Sequence, residues 1–290
     1  QPHQTLSMES VVGVLVHQGD RMYLSGEDGR RHFEDDPVWP GYAIHWTGRR
    51  LKGRLLPQID YATGKKMVIL WPDEPPARPS VELIYNERLT HYWESMMGHI
   101  AINVNGEIFN FSNLVNENET MTPEEYYYRP ALGEFAPHPV RGKIGTDEEG
   151  RPYYDKFGRL FMRSVHILRI FDIDPQVVRN HLQEVLKEIH AAPRDPKKPE
   201  NYAQFSVLKR SCATYTRDAL RAAGLKKIAG IMPRDLFVNA AYHTTVKRHG
   251  SAEIIQKPQL VVPEAPRSAP TALLNPLNRL RNSSISYKPQ

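Results

Sequence analysis

Short alternations of apolar and polar residues fill the N-terminal quarter of the chain. They predict strands at Val11–Val16, Arg21–Leu24, Tyr42–Trp46, Leu51–Leu56 and Met67–Trp71. Turn residues separate them: Gln18-Gly19-Asp20, Glu27-Asp28-Gly29 and Thr63-Gly64. Short strands at this spacing suggest a small β-barrel or sandwich over residues 1–75. Trp39, Trp46 and Trp71 would fill its core. The proline-rich stretch Pro72 to Pro79 then reads as a stiff linker.

The pattern changes over residues 76–250. A helix is expected from Val81 to Met97, ending at Gly98. His99–Val104 and Glu107–Ser112 read as two strands joined by Asn105-Gly106, a strong short hairpin signal. Residues 115–160 are polar and rich in Tyr, Pro and Gly, so they look like an insertion. Its tyrosines (Tyr126, Tyr127, Tyr128, Tyr153 and Tyr154) suit either a wall of a substrate groove or an internal brace. A strand follows from Met162 to Ile173, then a helix opened by Asp174 as N-cap and Pro175 at its first position. Val178, Leu182, Val185, Leu186 and Ile189 form the apolar face of that helix. Residues 228–241 suggest a loop and a short helix, and 251–290, with their prolines, an extended tail. The fold class is therefore α+β. The Gly-Arg-Leu pattern of the first region resembles an OB- or SH3-like barrel.

Composition narrows the function classes. With 38 Lys and Arg against 33 Asp and Glu, the net charge is +5, mildly basic. That favours an anionic polymer as target, while no zinc-finger, RNA-binding or helix-turn-helix pattern supports nucleic acid. No apolar run is long enough for a transmembrane segment. No signal peptide is visible, but the chain begins at Gln1, so that absence carries no weight. A metalloprotease helix motif, Cys/His ligand spacing and a phosphate loop are all missing, and neither a metal nor a cofactor is expected.

The chain has one cysteine, so it has no intramolecular disulfide framework. Ser211 precedes Cys212 as a good N-cap, which sets the thiol at the first turn of a helix closed by Gly224. Free amides and the helix dipole there, with Lys209 and Arg210 upstream, are expected to lower the thiol pKa. In the predicted hairpin Val104 faces Glu107. Counting back, His99, Asn103, Asn110 and Ser112 then share one face, while Ile100, Ile102, Val104, Phe109 and Phe111 share the other. A histidine with an orienting polar neighbour is what a cysteine nucleophile needs as its base. Asn110 is the better orienter, because its carbonyl accepts from an imidazole N–H; Ser112 lies closer in register. His243 and His249 are alternative bases.

These residues resemble a family. Gly98-His99-Ile-Ala-Ile-Asn-Val-Asn-Gly-Glu-Ile-Phe-Asn-Phe-Ser112 is similar to the histidine hairpin of the NlpC/P60 superfamily. Tyr202-x-x-Phe205-Ser-Val-Leu-x-x-Ser211-Cys212-Ala-Thr-Tyr-Thr is similar to its nucleophile helix, and Met232-Pro233-Arg-Asp235-Leu236 to a segment that often follows. Histidine before cysteine is the order of the circularly permuted branch, which includes lecithin retinol acyltransferase-like and YiiX-like proteins. The likeness covers residues 80–240 and departs at Ser211, where the family usually has Asn. It implies a permuted papain-like domain, an antiparallel sheet packed on a nucleophile helix, behind the small barrel. It further implies a catalytic set of Cys212, His99 and Asn110 or Ser112 acting on an amide or ester. The expected activity is cleavage of peptidoglycan peptides by an endopeptidase or amidase, secreted or acting in the periplasm as an antibacterial effector. Its partners would be peptidoglycan or another anionic polymer, and a secretion system or immunity protein. A lipid acyl hydrolase or acyltransferase, or a non-catalytic adaptor, are the alternatives.

Overall fold

Two antiparallel sheets of six strands each organise this α+β chain. The structure is a computed structural model that describes residues 9–75, 78–88, 97–112, 119–134, 158–195, 198–202, 206, 209–247 and 252–265. The first sheet contains β1 (Val11–Gln18), β2 (Arg21–Gly26), β3 (Arg31–Asp35), β4 (Arg50–Ile59) and β5 (Lys66–Pro72). Its outer strand beside β5 is β10 (Pro130–Leu132), giving the order β10-β5-β4-β1-β2-β3. Among the described residues this is an open sheet, so the expected closed barrel is not what forms. Edge strands β10 and β3 do not pair with each other.

One predicted strand here is a helix. Tyr42–Trp46 lies in α1 (Pro40–Trp46), with Pro40 in its first turn. Tyr42, Ala43 and Trp46 are buried, a spacing that makes one helical face. Trp46 is buried in the core, and Trp39 and Trp71 pack against its margin.

The second sheet runs in the order β14-β11-β6-β7-β8-β9. Its members are β6 (Val81–Asn86), β7 (His99–Val104), β8 (Glu107–Phe109), β9 (Thr120–Met121), β11 (Val165–Ile170) and β14 (Ala252–Lys257). Two expectations are corrected. The start of the predicted Val81–Met97 helix is a central strand, paired to β7 on one side and β11 on the other, with all six residues buried. A strand covered on both faces reads as a continuous apolar run, which periodicity does not separate from a helix. Residues 89–96 lie outside the described residues. Part of the expected tail is likewise a strand: β14 pairs with β11 from Ala252↔Ile170 to Lys257↔Val165. Val262 is buried beyond it, and Glu264 accepts the Gly41 N–H at 2.6 Å. Residues 266–290 are outside the described residues.

The hairpin forms as its turn residues dictate. Asn105 (φ 51) and Gly106 (φ 90) take the left-handed conformations of a tight two-residue turn. Val104 faces Glu107, and Ile102 faces Phe109. The helix after β11 also forms: α4 (Pro175–Ala191) is capped by Asp174, whose carboxylate accepts the Gln176 N–H at 2.8 Å.

Residues 119–134 hold β9, then α2 (Pro123–Tyr127), then β10. They reach from the edge of the second sheet to the edge of the first. Tyr126, Tyr127 and Tyr128 are buried, so this part of the insertion is an internal brace. Tyr153 and Tyr154 are outside the described residues. After the brace comes a short α3 (Arg159–Met162).

Two cores result. The first joins Leu15, Leu24, Leu51 and Ile69 of the first sheet to Ile84, Ala101, Ile108 and Ile167 of the second, around the three tyrosines. The second lies on the opposite face of the second sheet, where Leu83, Ile100, Ile102, Phe109 and Leu168 meet helices. Those helices are α4, α5 (Cys212–Ala222) and α6 (Pro233–Ala241). No helix among the described residues is long and apolar enough to cross a membrane.

Candidate active site

Cys212 is the first residue of α5, and its position is fixed locally. The Ser211 hydroxyl accepts the Thr214 N–H at 3.4 Å, and the Thr214 hydroxyl accepts the Ser211 N–H at 2.8 Å. This reciprocal capping box holds the start of the helix, as the sequence led one to expect of Ser211. At the other end Gly224 (φ 98) donates to the Arg221 carbonyl, and Leu225 donates to that of Leu220. Those two bonds form a Schellman turn. Ala213, Ala219 and Leu220 are fully buried, which seats the helix on the face of β7 that carries Ile100 and Ile102.

The thiol lies against the start of β7. The backbone N–H groups of Ile100, Ala213 and Cys212 itself are directed at the sulfur. Ile100 is the residue after His99. The electrostatics differ from the sequence expectation. Burial pushes the Cys212 thiol up, and the three amides and the charge of Arg159 offset this only in part. Lys209 and Arg210, expected to help, are exposed. The resting sulfur is thus a protonated thiol, and a nucleophile forms only when a base removes its proton.

His99 opens β7 on the other face of the sheet. Its Nε2 is 2.6 Å from Asn110 Oδ1. Asn110 is fully buried, just past β8, and its N–H bonds the Glu119 carbonyl at 2.7 Å. An amide oxygen only accepts, so this contact places the ring proton on Nε2. Ser112 is half-buried two residues further on. Asn103, on the same face, belongs elsewhere: its amide donates to Glu82 at 2.7 Å, and Glu82 pairs with Arg169 at 2.8 Å. His243 lies in a π-helical turn, Tyr242–Lys247, and His249 is outside the described residues.

This face is turned into the protein: Asn103 and Asn110 are buried, and Ala101 and Ile108 between them belong to the first core. One residue at this end of the sheet had no signal in the motifs. Asn86 stands opposite His99 in the β6–β7 register. Its Nδ2 donates to the Tyr126 hydroxyl at 2.6 Å and to the His99 carbonyl at 3.4 Å. The brace thereby steadies the strand that bears the histidine. Only the pairing of β6 with β7 brings Asn86 here, and that pairing was hidden by reading Val81–Asn86 as helix.

Among the described residues no group of three or more His, Cys, Asp or Glu side chains is placed to hold a metal ion. The arrangement offers a thiol at a helix start, a histidine with a fixed tautomer, and a set of backbone donors. No family model matches the chain, and neither a curated protein nor a solved structure gives a significant match.

Proposed function

We propose that this chain is a cysteine-nucleophile hydrolase of amide bonds, built on a permuted papain-like domain of the NlpC/P60 type. The observation that carries the reading is the 2.6 Å contact between His99 Nε2 and Asn110 Oδ1, beside the strand start against which the thiol lies. With the proton held on Nε2, Nδ1 is the basic nitrogen.

His99 Nδ1 takes the Cys212 proton, and the sulfur attacks the carbonyl carbon of the substrate. The oxygen becomes an anion, which the Cys212 backbone N–H stabilises. The carbonyl reforms, the C–N bond breaks, and the amine leaves with the proton from His99. A thioester remains. Water attacks it after giving its proton to His99, the C–S bond breaks, and that proton returns to the sulfur. The raised thiol pKa fits a nucleophile generated by its partner during the reaction.

The substrate we favour is a peptidoglycan peptide. The support is the motif resemblance and the basic charge of +5, which suits an anionic polymer. Such an enzyme acts outside the cytoplasm, as a secreted or periplasm-acting effector, with a secretion system or immunity protein as partner.

Mass analysis of purified peptidoglycan after incubation tests the reading. The wild-type protein should release new peptide fragments. Cys212→Ala should release none while retaining its thermal unfolding profile, since a methyl replaces a thiol at a half-buried position. Activity in Cys212→Ala would end the mechanism. Fatty-acid release from phospholipid with intact peptidoglycan would keep the mechanism and change the substrate.

A further inference from the structure

The helix α4 grips the histidine hairpin and its neighbour strand at two points. In its first half Arg179 pairs with Glu107 at 2.9 Å and donates to the Val104 carbonyl at 3.0 Å, so it holds the turn end. In its last turn His190 Nε2 lies 2.8 Å from Glu119 Oε2. Arg179 and His190 are eleven residues apart, three helical turns and about 20° over, so they share one stripe of the helix. That stripe borders the apolar face, where Val178 and Leu182 pack in the second core with Ala219 and Leu220 of α5.

The second point bears on the proposed site. Glu119 is buried, and its carbonyl accepts the Asn110 N–H at 2.7 Å. This bond carries the β8–β9 register one pair beyond Phe109↔Thr120. Asn110 in turn meets His99 Nε2 at 2.6 Å. The next residue, Phe111, packs its ring on Tyr215 of α5, with centroids 5.1 Å apart. Asn110 is therefore held from α4 through Glu119 and from α5 through Phe111. A buried carboxylate needs donors. His190, 56% exposed, reaches in from the rim to supply one.

We propose that His190 and Glu119 are positioning residues for His99. The end of α4 holds Glu119, Glu119 holds the Asn110 backbone, and the Asn110 amide holds the imidazole tautomer. The inference rests on the hydrolase reading and adds the outer support of its base. An orienter that shifts slightly costs rate while the substrate still binds, so the effect falls on kcat.

Ring-nitrogen NMR of the full-length protein reads the tautomer without turnover. At about pH 9 an ordinary imidazole is neutral. The His99 signals are those that vanish in His99→Gln. The wild type should carry the proton on Nε2. Truncating a mostly exposed side chain leaves the fold intact, so His190→Ala should fold and admit the Nδ1–H form. It should also lower kcat on peptidoglycan peptides roughly tenfold, with KM little changed. His190→Gln, whose amide again donates to Glu119, should restore most of both. Arg179→Met cuts the other grip and is the structural control: it should lower the urea midpoint and leave the tautomer alone. A wild-type tautomer in His190→Ala overturns the proposal. So does a glutamine variant as impaired as the alanine one, or an equal tautomer change in Arg179→Met. Peptidoglycan left intact by the wild type ends the hydrolase reading alone, because the tautomer is read without substrate.

Discussion

The two cores on either face of the second sheet are built from different chemistry. The second is mostly aliphatic, with Leu83, Ile100, Ile102, Val104, Leu168, Leu182 and Leu220 all at 0% exposure. The first is aromatic and carries polar atoms inside, among them Tyr126, Tyr127, Tyr128 and Trp46. The Tyr127 hydroxyl is buried without a partner among the described residues. Cys212 belongs to the margin of the aliphatic core, and His99 and Asn110 face the aromatic one. The proposed nucleophile is thus mounted on the dry, close-packed side, where α5 has little room to shift. The proposed base is mounted on the side that can hold hydrogen-bonded polar groups. Both lie at the start of β7, where the Ile100 N–H is directed at the sulfur and His99 opens the strand.

The largest stability effect should come from the aliphatic side. Leu220→Ala removes a fully buried side chain from α5 at the seat of that helix on β7. The expected loss is about 2–5 kcal/mol, read from urea unfolding. Activity should fall with it at temperatures where the variant is still folded, because the thiol moves with the helix. A loss below about 1 kcal/mol would mean that the second core is not the rigid mount argued above.

Asn110→Ala probes the polar side. It removes the acceptor of the His99 Nε2 proton. Loss of tautomer control should lower kcat on the order of 10²-fold, with KM little changed. Asn110→Asp restores an acceptor and should recover part of kcat. It should also move the acid limb of the pH–rate profile upward, since a nearby negative charge favours the imidazolium. Equal kcat in Asn110→Ala and the wild type would show that the contact does not serve catalysis.

How much of this was legible depends on which core a segment faces. The hairpin, the Asp174-capped helix and the capped start of α5 were readable because turn and cap residues act locally: Asn105-Gly106, Asp174-Pro175 and Ser211. Val81–Asn86 was not, because both its faces are covered, so Val81, Leu83, Ile84 and Tyr85 do not alternate strictly with polar residues. Tyr42–Trp46 misled because aromatic residues favour strands until a proline in the first turn and a buried helical face override them. That His99 shares a face with Asn110 and Ser112 followed from register, which a two-residue turn sets by counting; the contact with Asn110 in particular did not. The state of the thiol did not follow, because burial outweighs the local amides and burial is a property of the whole fold.

Alkaline pH should separate the cores without any mutation. Burial raises the phenol pKa of Tyr126 and Tyr127, and pushes that of Tyr42 up to about 12. The ordinary value is about 10. Below it both folded and unfolded chains keep these protons, and stability is full. Above it the unfolded chain releases protons that the folded chain retains, so stability falls as pH rises from about 10 toward the folded values. Burial of the Cys212 thiol acts with the same sign from its own ordinary value upward, so the measurement is cleaner in Cys212→Ala. Urea midpoints should hold steady up to that pH and then drop, with phenolate absorbance from the buried tyrosines appearing only on unfolding. Phenolate absorbance from these residues near pH 10 in the folded protein would mean that the first core admits water.

The smallest effect is a pair of neighbours with opposite signs. Tyr127 and Tyr126 are adjacent in α2 and equally aromatic, but only one hydroxyl is used. The Tyr127 hydroxyl has no partner, so Tyr127→Phe removes an unmet buried polar group and should stabilise by about 1 kcal/mol. The Tyr126 hydroxyl accepts from Asn86 at 2.6 Å. Tyr126→Phe leaves that amide donor with a lost bond beside the His99 carbonyl, and should destabilise by about 1–2 kcal/mol. Chemical denaturation of both variants under one set of conditions reads the difference. Opposite signs would mean that the aromatic core is satisfied beside the strand that bears His99 and unsatisfied one residue away. Equal losses would mean that water fills the Tyr127 site, and that the first core is better satisfied than its direct contacts indicate.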